Sequence, residues 1–243
     1  MARSTRVAPP SWQAGDRGYT CTGTSIPVVV DPDRPDLGVH PVPPPRDHDG
    51  PGPAASSERL LAVLIDGAPE AADHWVRGTD LTGVYEPSDP RRLRAMALWR
   101  ALDRGSDVPA GDAWMVVVSA QTALLDSDPR LDVVSVVAGG EPRWTGTDGR
   151  WHAAPFPGAH AVLVRGPRRS TLVAVHPDDV RTLDVSTSGG AVTIRCGLFT
   201  DRLEKGVLLR SRVLGGYGPV EDDPLWARRW LDRLANAPPP LTT

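Results

Sequence analysis

Beyond Ser57 the apolar residues of this chain come only in short runs, each cut off by glycine, proline, aspartate or serine. That texture constrains the fold more than any other feature. An amphipathic helix needs an i, i+3, i+4, i+7 pattern sustained over about 10 residues, whereas apolar runs of about 4 to 8 bounded by turn residues read as strands. The candidate strands are Leu60 to Asp66, His74 to Tyr85, Arg94 to Ala101, Ala113 to Leu124, Leu131 to Val137, Ala159 to Arg165, Thr171 to His176, Val180 to Thr187, Ala191 to Thr200 and Leu203 to Leu214. Gly67-Ala68-Pro69, Glu86 to Pro90, Asp126 to Pro129, Gly139-Gly140, Gly166-Pro167 and Ser188-Gly189-Gly190 separate them. With 26 prolines and 24 glycines in 243 residues, a helix bundle is excluded. The pattern predicts a mostly β protein, an antiparallel β-sandwich of about ten strands.

Three details sharpen this expectation. Val116, Val117 and Val118 do not alternate with polar residues, as in a central strand buried on both faces. Between Leu203 and Leu214, period-2 alternation puts Val207, Leu209, Ser211 and Val213 on one face and Leu208, Arg210, Arg212 and Leu214 on the other. Gly189-Gly190 marks the best tight hairpin. One C-terminal amphipathic helix is expected over 224–236, with Asp223 as its cap, Pro224 in its first turn and a stripe of Leu225, Trp226, Trp230, Leu231 and Leu234. Such a helix would lie on the outside or edge of a sheet.

Nine prolines fall between Pro27 and Pro53, among few large apolar residues. The chain therefore divides into a proline-rich N-terminal arm, 1–57, holding one strand at 24–30, and a sandwich, 58–243. If that strand joins the main sheet the arm is a surface strap; otherwise it is an extended tail.

Composition narrows function mainly by exclusion. The 27 basic and 30 acidic residues leave a net charge of −3, which favours neither nucleic acid nor a membrane as partner. No apolar stretch approaches the roughly 18 residues of a membrane span, and the first residues lack the apolar core of an export signal, so a cytoplasmic protein is expected. Cys21 and Cys196 have no metal-ligand spacing; two buried thiols are expected, with one long-range bridge as the alternative. No metal or other cofactor is implied: no histidine or cysteine spacing suits a metal, and no GxGxxG or Walker loop suits a nucleotide, while the missing GxSxG removes a serine nucleophile. All but one of the basic residues are arginine, which reads as coding bias and not as a functional sign.

Trp75-Val76-Arg77-Gly78, Gln121 to Ser127, His176-Pro177-Asp178-Asp179 and Leu203 to Val207 together resemble an uncharacterised group of bacterial conserved hypothetical proteins. The resemblance covers roughly Leu60 to Thr242 and implies no reaction. The run of strands also looks like the large sandwiches of the galactose-mutarotase-like type, an analogy of architecture alone.

Two sets of residues are candidates for chemistry. Trp144 and Trp151 lie in the turn-rich stretch Gly139 to Gly158 with Arg143 and His152 beside them, and an aromatic flanked by polar groups suits a glycan or a protein partner. His176, Asp178, Glu204 and the chain's one lysine, Lys205, are the best acid/base candidates if the protein is an enzyme. A solvated corner and a charged turn explain the same residues without catalysis. The leading reading is a non-enzymatic binding or assembly protein, with carbohydrate among its candidate ligands. The alternatives are a carbohydrate-active enzyme of epimerase or lyase type and a structural subunit of a homo-oligomer assembled through the N-terminal arm.

Overall fold

The computed structural model describes residues 9–42, 58–65, 70–87, 93–103, 105, 111–127, 130–199 and 202–238. Its sixteen strands form three antiparallel sheets. The largest has eight strands in the order β11 (Pro142–Thr145), β12 (Ala161–Arg165), β13 (Ser170–Val175), β16 (Leu208–Gly218), β9 (Asp112–Gln121), β8 (Arg94–Leu102), β7 (Asp80–Tyr85), β6 (Asp73–Arg77). A second sheet is ordered β14 (Thr182–Ser188), β15 (Ala191–Gly197), β10 (Leu131–Ala138), β5 (Arg59–Ile65). The third comprises β1 (Ser11–Gly15), β2 (Gly18–Thr22), β3 (Val28–Val30) and β4 (His40–Pro41).

The centre of the eight-stranded sheet is buried on both faces, and β9 shows why the valine run does not alternate. Trp114, Val116, Val118 and Ala120 of β9 face the main core against the smaller sheets, while Ala113, Met115 and Val117 face a second core under helix α1 (Asp223–Ala235). β16 obeys the expected alternation, with Val213 in the first core and Leu214 in the second. The strand starts at Leu208, because Glu204 to Val207 form a turn closed by the Val207 N–H donating to the Glu204 carbonyl. The outer strand β14 has one wet face, as an antiparallel sheet allows. Gly189 and Gly190, both at positive φ (57° and 77°), make the tight β14–β15 turn that the sequence marks.

Residues 74–85, which read as one strand, are a hairpin: β6 and β7 reverse at Gly78. The N-terminal segment also carries more structure than the single strand expected at 24–30. Four short strands fill residues 11–41, and β3 pairs with β2 and β4. Trp12, Cys21, Val28, Val30 and Val39 enter the main core. A bridge between Val39 and Leu60 sets this sheet beside β5, so the two four-stranded sheets together oppose the eight-stranded one. Polar ties fix it there: the Trp12 indole donates to the Thr79 carbonyl (2.9 Å), the Tyr85 hydroxyl to the Pro32 carbonyl (2.8 Å), and the Ser25 and Ile26 N–H groups to Asp112. The prolines at 43, 44, 45, 51 and 53 lie outside the described residues.

Leu61 is buried at φ 56° where the β5–β10 register slips. Its N–H donates to the Ser135 hydroxyl and its carbonyl accepts from the Trp99 indole, so the irregular backbone keeps both hydrogen bonds. Cys21 and Cys196 are buried free thiols. No helix among the described residues is long and apolar enough to cross a membrane.

Helix α1 packs on the outer face of the large sheet, against β16, β12 and β13. Trp226, Ala227, Trp230, Leu231 and Leu234 are its buried side, whereas Leu225, expected in the stripe, is exposed. Asp222 occupies the cap position with a left-handed backbone, and Asp223, the expected cap, is turned inward.

Candidate functional site

The residues proposed for acid/base work do not form one site. His176 follows β13 and is buried; its Nδ1 accepts the Asp178 N–H (3.2 Å), and its own N–H donates to the Arg212 carbonyl (2.9 Å). The Asp178 carboxylate, 3.8 Å from the same Nδ1, belongs to a side chain that is 85% exposed. Burial pushes the His176 pKa down and the Arg212 charge pushes the same way, against weaker upward pulls from Asp179, Asp178 and the Ala235 backbone. His160 is buried nearby and is also lowered, by burial first and then by His176; its Nδ1 has no partner. Glu204 and Lys205 are exposed in the turn before β16. Among the described residues no hydrogen bond or ion pair joins either to His176, and none of the three lines either of the two clefts described below.

The binding candidates are better grouped, although the sheet divides them. Trp144 lies on β11, not in a loop, and it is buried in the main core. Two backbone hydrogen bonds pair it with His152 (2.9 and 2.8 Å), whose ring lies 4.5 Å from that of Phe156. Trp151, the next residue back, is half-buried against the second core, on the α1 side. The turn preceding it passes under the helix at Gly149 (φ 69°), where the Arg228 guanidinium occupies the space a side chain would need.

Arg143 pairs with Leu163 across the β11–β12 hairpin and so shares its α1-facing side. Together with Glu141, Arg165 and Asp223 they line a cleft of about 240 Å³. Arg165, two residues beyond Leu163, projects to the same side. It donates to both carboxylate oxygens of Asp223, through Nη2 (2.6 Å) and Nε (2.9 Å), and the buried Ser170 hydroxyl adds a third bond (2.7 Å). Burial alone would raise the Asp223 pKa, but the bonds from Arg165 and Ser170 and the charges of Arg165 and Arg143 outweigh it and lower the value. The carboxylate stays charged at the first turn of α1, where the helix dipole also favours it.

No family model matches the sequence, and no curated protein matches it. Two solved structures share part of the chain path. One, titled a candidate aldose 1-epimerase from Klebsiella pneumoniae subsp. pneumoniae, is 8% identical with a TM-score of 0.42, over 65% of this chain and 54% of its own. The other, titled a candidate kojibiose phosphorylase from human microbiome, is 8% identical with a TM-score of 0.38, over 65% of this chain and 21% of its own. The chain thus spans about half the length of the first and a fifth of the second. Scores this low assign neither a fold family nor a reaction.

A larger cleft of about 670 Å³ lies where the N-terminal segment meets β5 and β10. Three of its four carboxylates are engaged: Asp36 with Arg34, Asp132 with Arg195, and Asp33 with the Ala71 N–H; Glu70 is the fourth. None of the residues singled out in the sequence reaches it. No group of three metal-ligating side chains occurs among the described residues. The smaller cleft is therefore the best-built candidate. Arg143 was legible as a polar neighbour of two tryptophans, whereas Arg165 and Asp223 were not. The sequence signal for Arg165 was there: in an antiparallel hairpin, the residue two beyond the partner of Arg143 lies on its face.

Proposed function

We propose that this chain is a non-enzymatic binding protein that holds a carbohydrate in the cleft formed by Glu141, Arg143 and Arg165. One observation carries the reading. Two guanidinium groups and a carboxylate converge over the apolar floor of Leu163, and Arg165 is held by the buried Asp223. A sugar hydroxyl both donates and accepts, so vicinal hydroxyls match an arginine fork beside a carboxylate. Trp151 is half-buried on the same side of the sheet but does not line the cleft.

The same geometry argues for binding over catalysis. Paired acid/base catalysis uses two titratable groups with separated roles. Asp223 is committed to Arg165 and Ser170, which leaves Glu141 as the acid/base group facing the cleft among the described residues.

A thermal-shift screen of neutral and acidic saccharides, followed by calorimetry, tests the proposal. A ligand at ~100 times its Kd stabilises the native state by about 2.7 kcal/mol, which corresponds to a Tm rise of about 5–10 °C for a chain of this size. Arg143→Ala should abolish that rise while lowering the unliganded Tm only slightly, because the Arg143 charge is the smallest of the influences that hold the Asp223 pKa down. A screen without a stabilising saccharide, or an Arg143→Ala variant that binds as the parent does, rejects the reading.

A further inference from the structure

β6 closes one end of the eight-stranded sheet. It pairs with β7 on one side, and among the described residues no strand pairs with the other. Its five residues, Asp73-His74-Trp75-Val76-Arg77, are all exposed, including Trp75 at 42%. An open edge carries a row of backbone donors and acceptors, and soluble proteins usually blunt it with charge, irregularity or a cover. The opposite end of this sheet is covered in that way: β11 is bridged by His152. The outer strand of the second sheet, β14, is rich in threonine, serine and aspartate. β6 instead places a tryptophan at its centre.

The side-chain order along β6 reads in both directions. Trp75 pairs with Thr82 on the outer side of the sheet, so Asp73 and Arg77, two residues away on each side, lie on that side as well. In an antiparallel pairing of β6 with itself centred on Trp75, Asp73 of one copy falls opposite Arg77 of the other, twice, and the two tryptophans meet at the centre. His74 falls opposite Val76 on the other face, where the His74 ring is fixed by the Tyr19 hydroxyl (3.1 Å) and packs edge-on against its ring. Asp73 and Arg77 make no ion pair within the described chain, so both charges are available.

We propose that β6 is an interface for a second copy of this chain, joining two eight-stranded sheets edge to edge about a two-fold axis. The arrangement is isologous, each copy offering the same strand, and it closes at two. A single five-residue strand is a small contact, so the association is weak and concentration-dependent.

Sedimentation velocity on the full chain from about 10 µM to about 1 mM reads it directly. The parent chain should move from monomer to dimer mass across that range. Arg77→Asp sets Asp73 against an aspartate in both symmetric pairs and should weaken dimerisation about tenfold or more. The charge-swapped double variant, Asp73→Arg with Arg77→Asp, restores both pairs and should recover the parent's behaviour. Unchanged circular dichroism confirms that each variant is folded, because all the altered side chains are exposed. A parent that stays monomeric throughout, an Arg77→Asp variant that dimerises as strongly as the parent, or a double variant that fails to recover overturns the proposal.

Discussion

Replacing Asp179 with alanine should destabilise this protein more than any other single change in the His176-Pro177-Asp178-Asp179 segment. Asp179 accepts three hydrogen bonds from Arg212: from its backbone N–H (2.9 Å) and Nε (2.8 Å) to Oδ2, and from Nη2 (3.3 Å) to Oδ1. Both side chains are nearly buried, at 8% exposure for Arg212 and 13% for Asp179. Nη1 of Arg212 donates to the Ala237 carbonyl (3.2 Å) just past α1, so the pair joins β16, the turn after β13 and the end of the helix. Removing one partner of a buried pair costs about 3–5 kcal/mol, because it leaves the other charge uncompensated. The surviving bond to Ala237 places the expected loss at the lower end, about 3 kcal/mol, or a Tm drop of about 6–12 °C.

Urea unfolding is the measurement: the midpoint should fall with the slope unchanged. Adding Arg212→Leu to Asp179→Ala removes the orphaned guanidinium, so the double variant should be more stable than the sum of the single losses implies, by about 1–3 kcal/mol. A loss below about 1 kcal/mol for Asp179→Ala, or strict additivity in the double variant, would refute the view that this corner is a buried electrostatic clasp.

Two further outcomes follow from the same packing. His160 and His176 both have folded pKa values below their ordinary one, so the unfolded chain binds protons more readily. The stability linked to them is complete above about pH 6.5 and is lost as the pH falls through their lowered values; urea midpoints should drop between pH 7.5 and about 5, and flat midpoints would contradict their burial as neutral rings. Deleting residues 1–57 strips Trp12, Cys21, Val28, Val30 and Val39 from the core and leaves the Tyr85 hydroxyl without its acceptor. The shortened chain should lose cooperative melting and near-ultraviolet circular dichroism, and an unchanged Tm would show that the N-terminal sheet is dispensable.

The parts of this fold legible in the sequence are those whose cause is local. A valine run in β9 without polar alternation follows from two buried faces, and a Gly-Gly turn between β14 and β15 follows from positive φ at both positions. The strands β1 and β2 were hidden because each sends only one buried side chain to the core, Trp12 and Cys21, too few to make a period. Site chemistry fails to show for a related reason: its causes are distant in sequence. Asp223 beside Pro224 meets every local criterion for a helix cap, yet its carboxylate is committed to Arg165, 58 residues away, and Ser170, 53 away. His176 and Asp178 look like an acid/base couple, while their neighbour Asp179 is the group that matters to the fold, through Arg212, 33 residues on. Register is the one bridge between the two scales. Once β11 is recognised inside the turn-rich stretch after Gly139, the pairing of Arg143 with Leu163 puts Arg165 on the same face and the outline of the cleft follows.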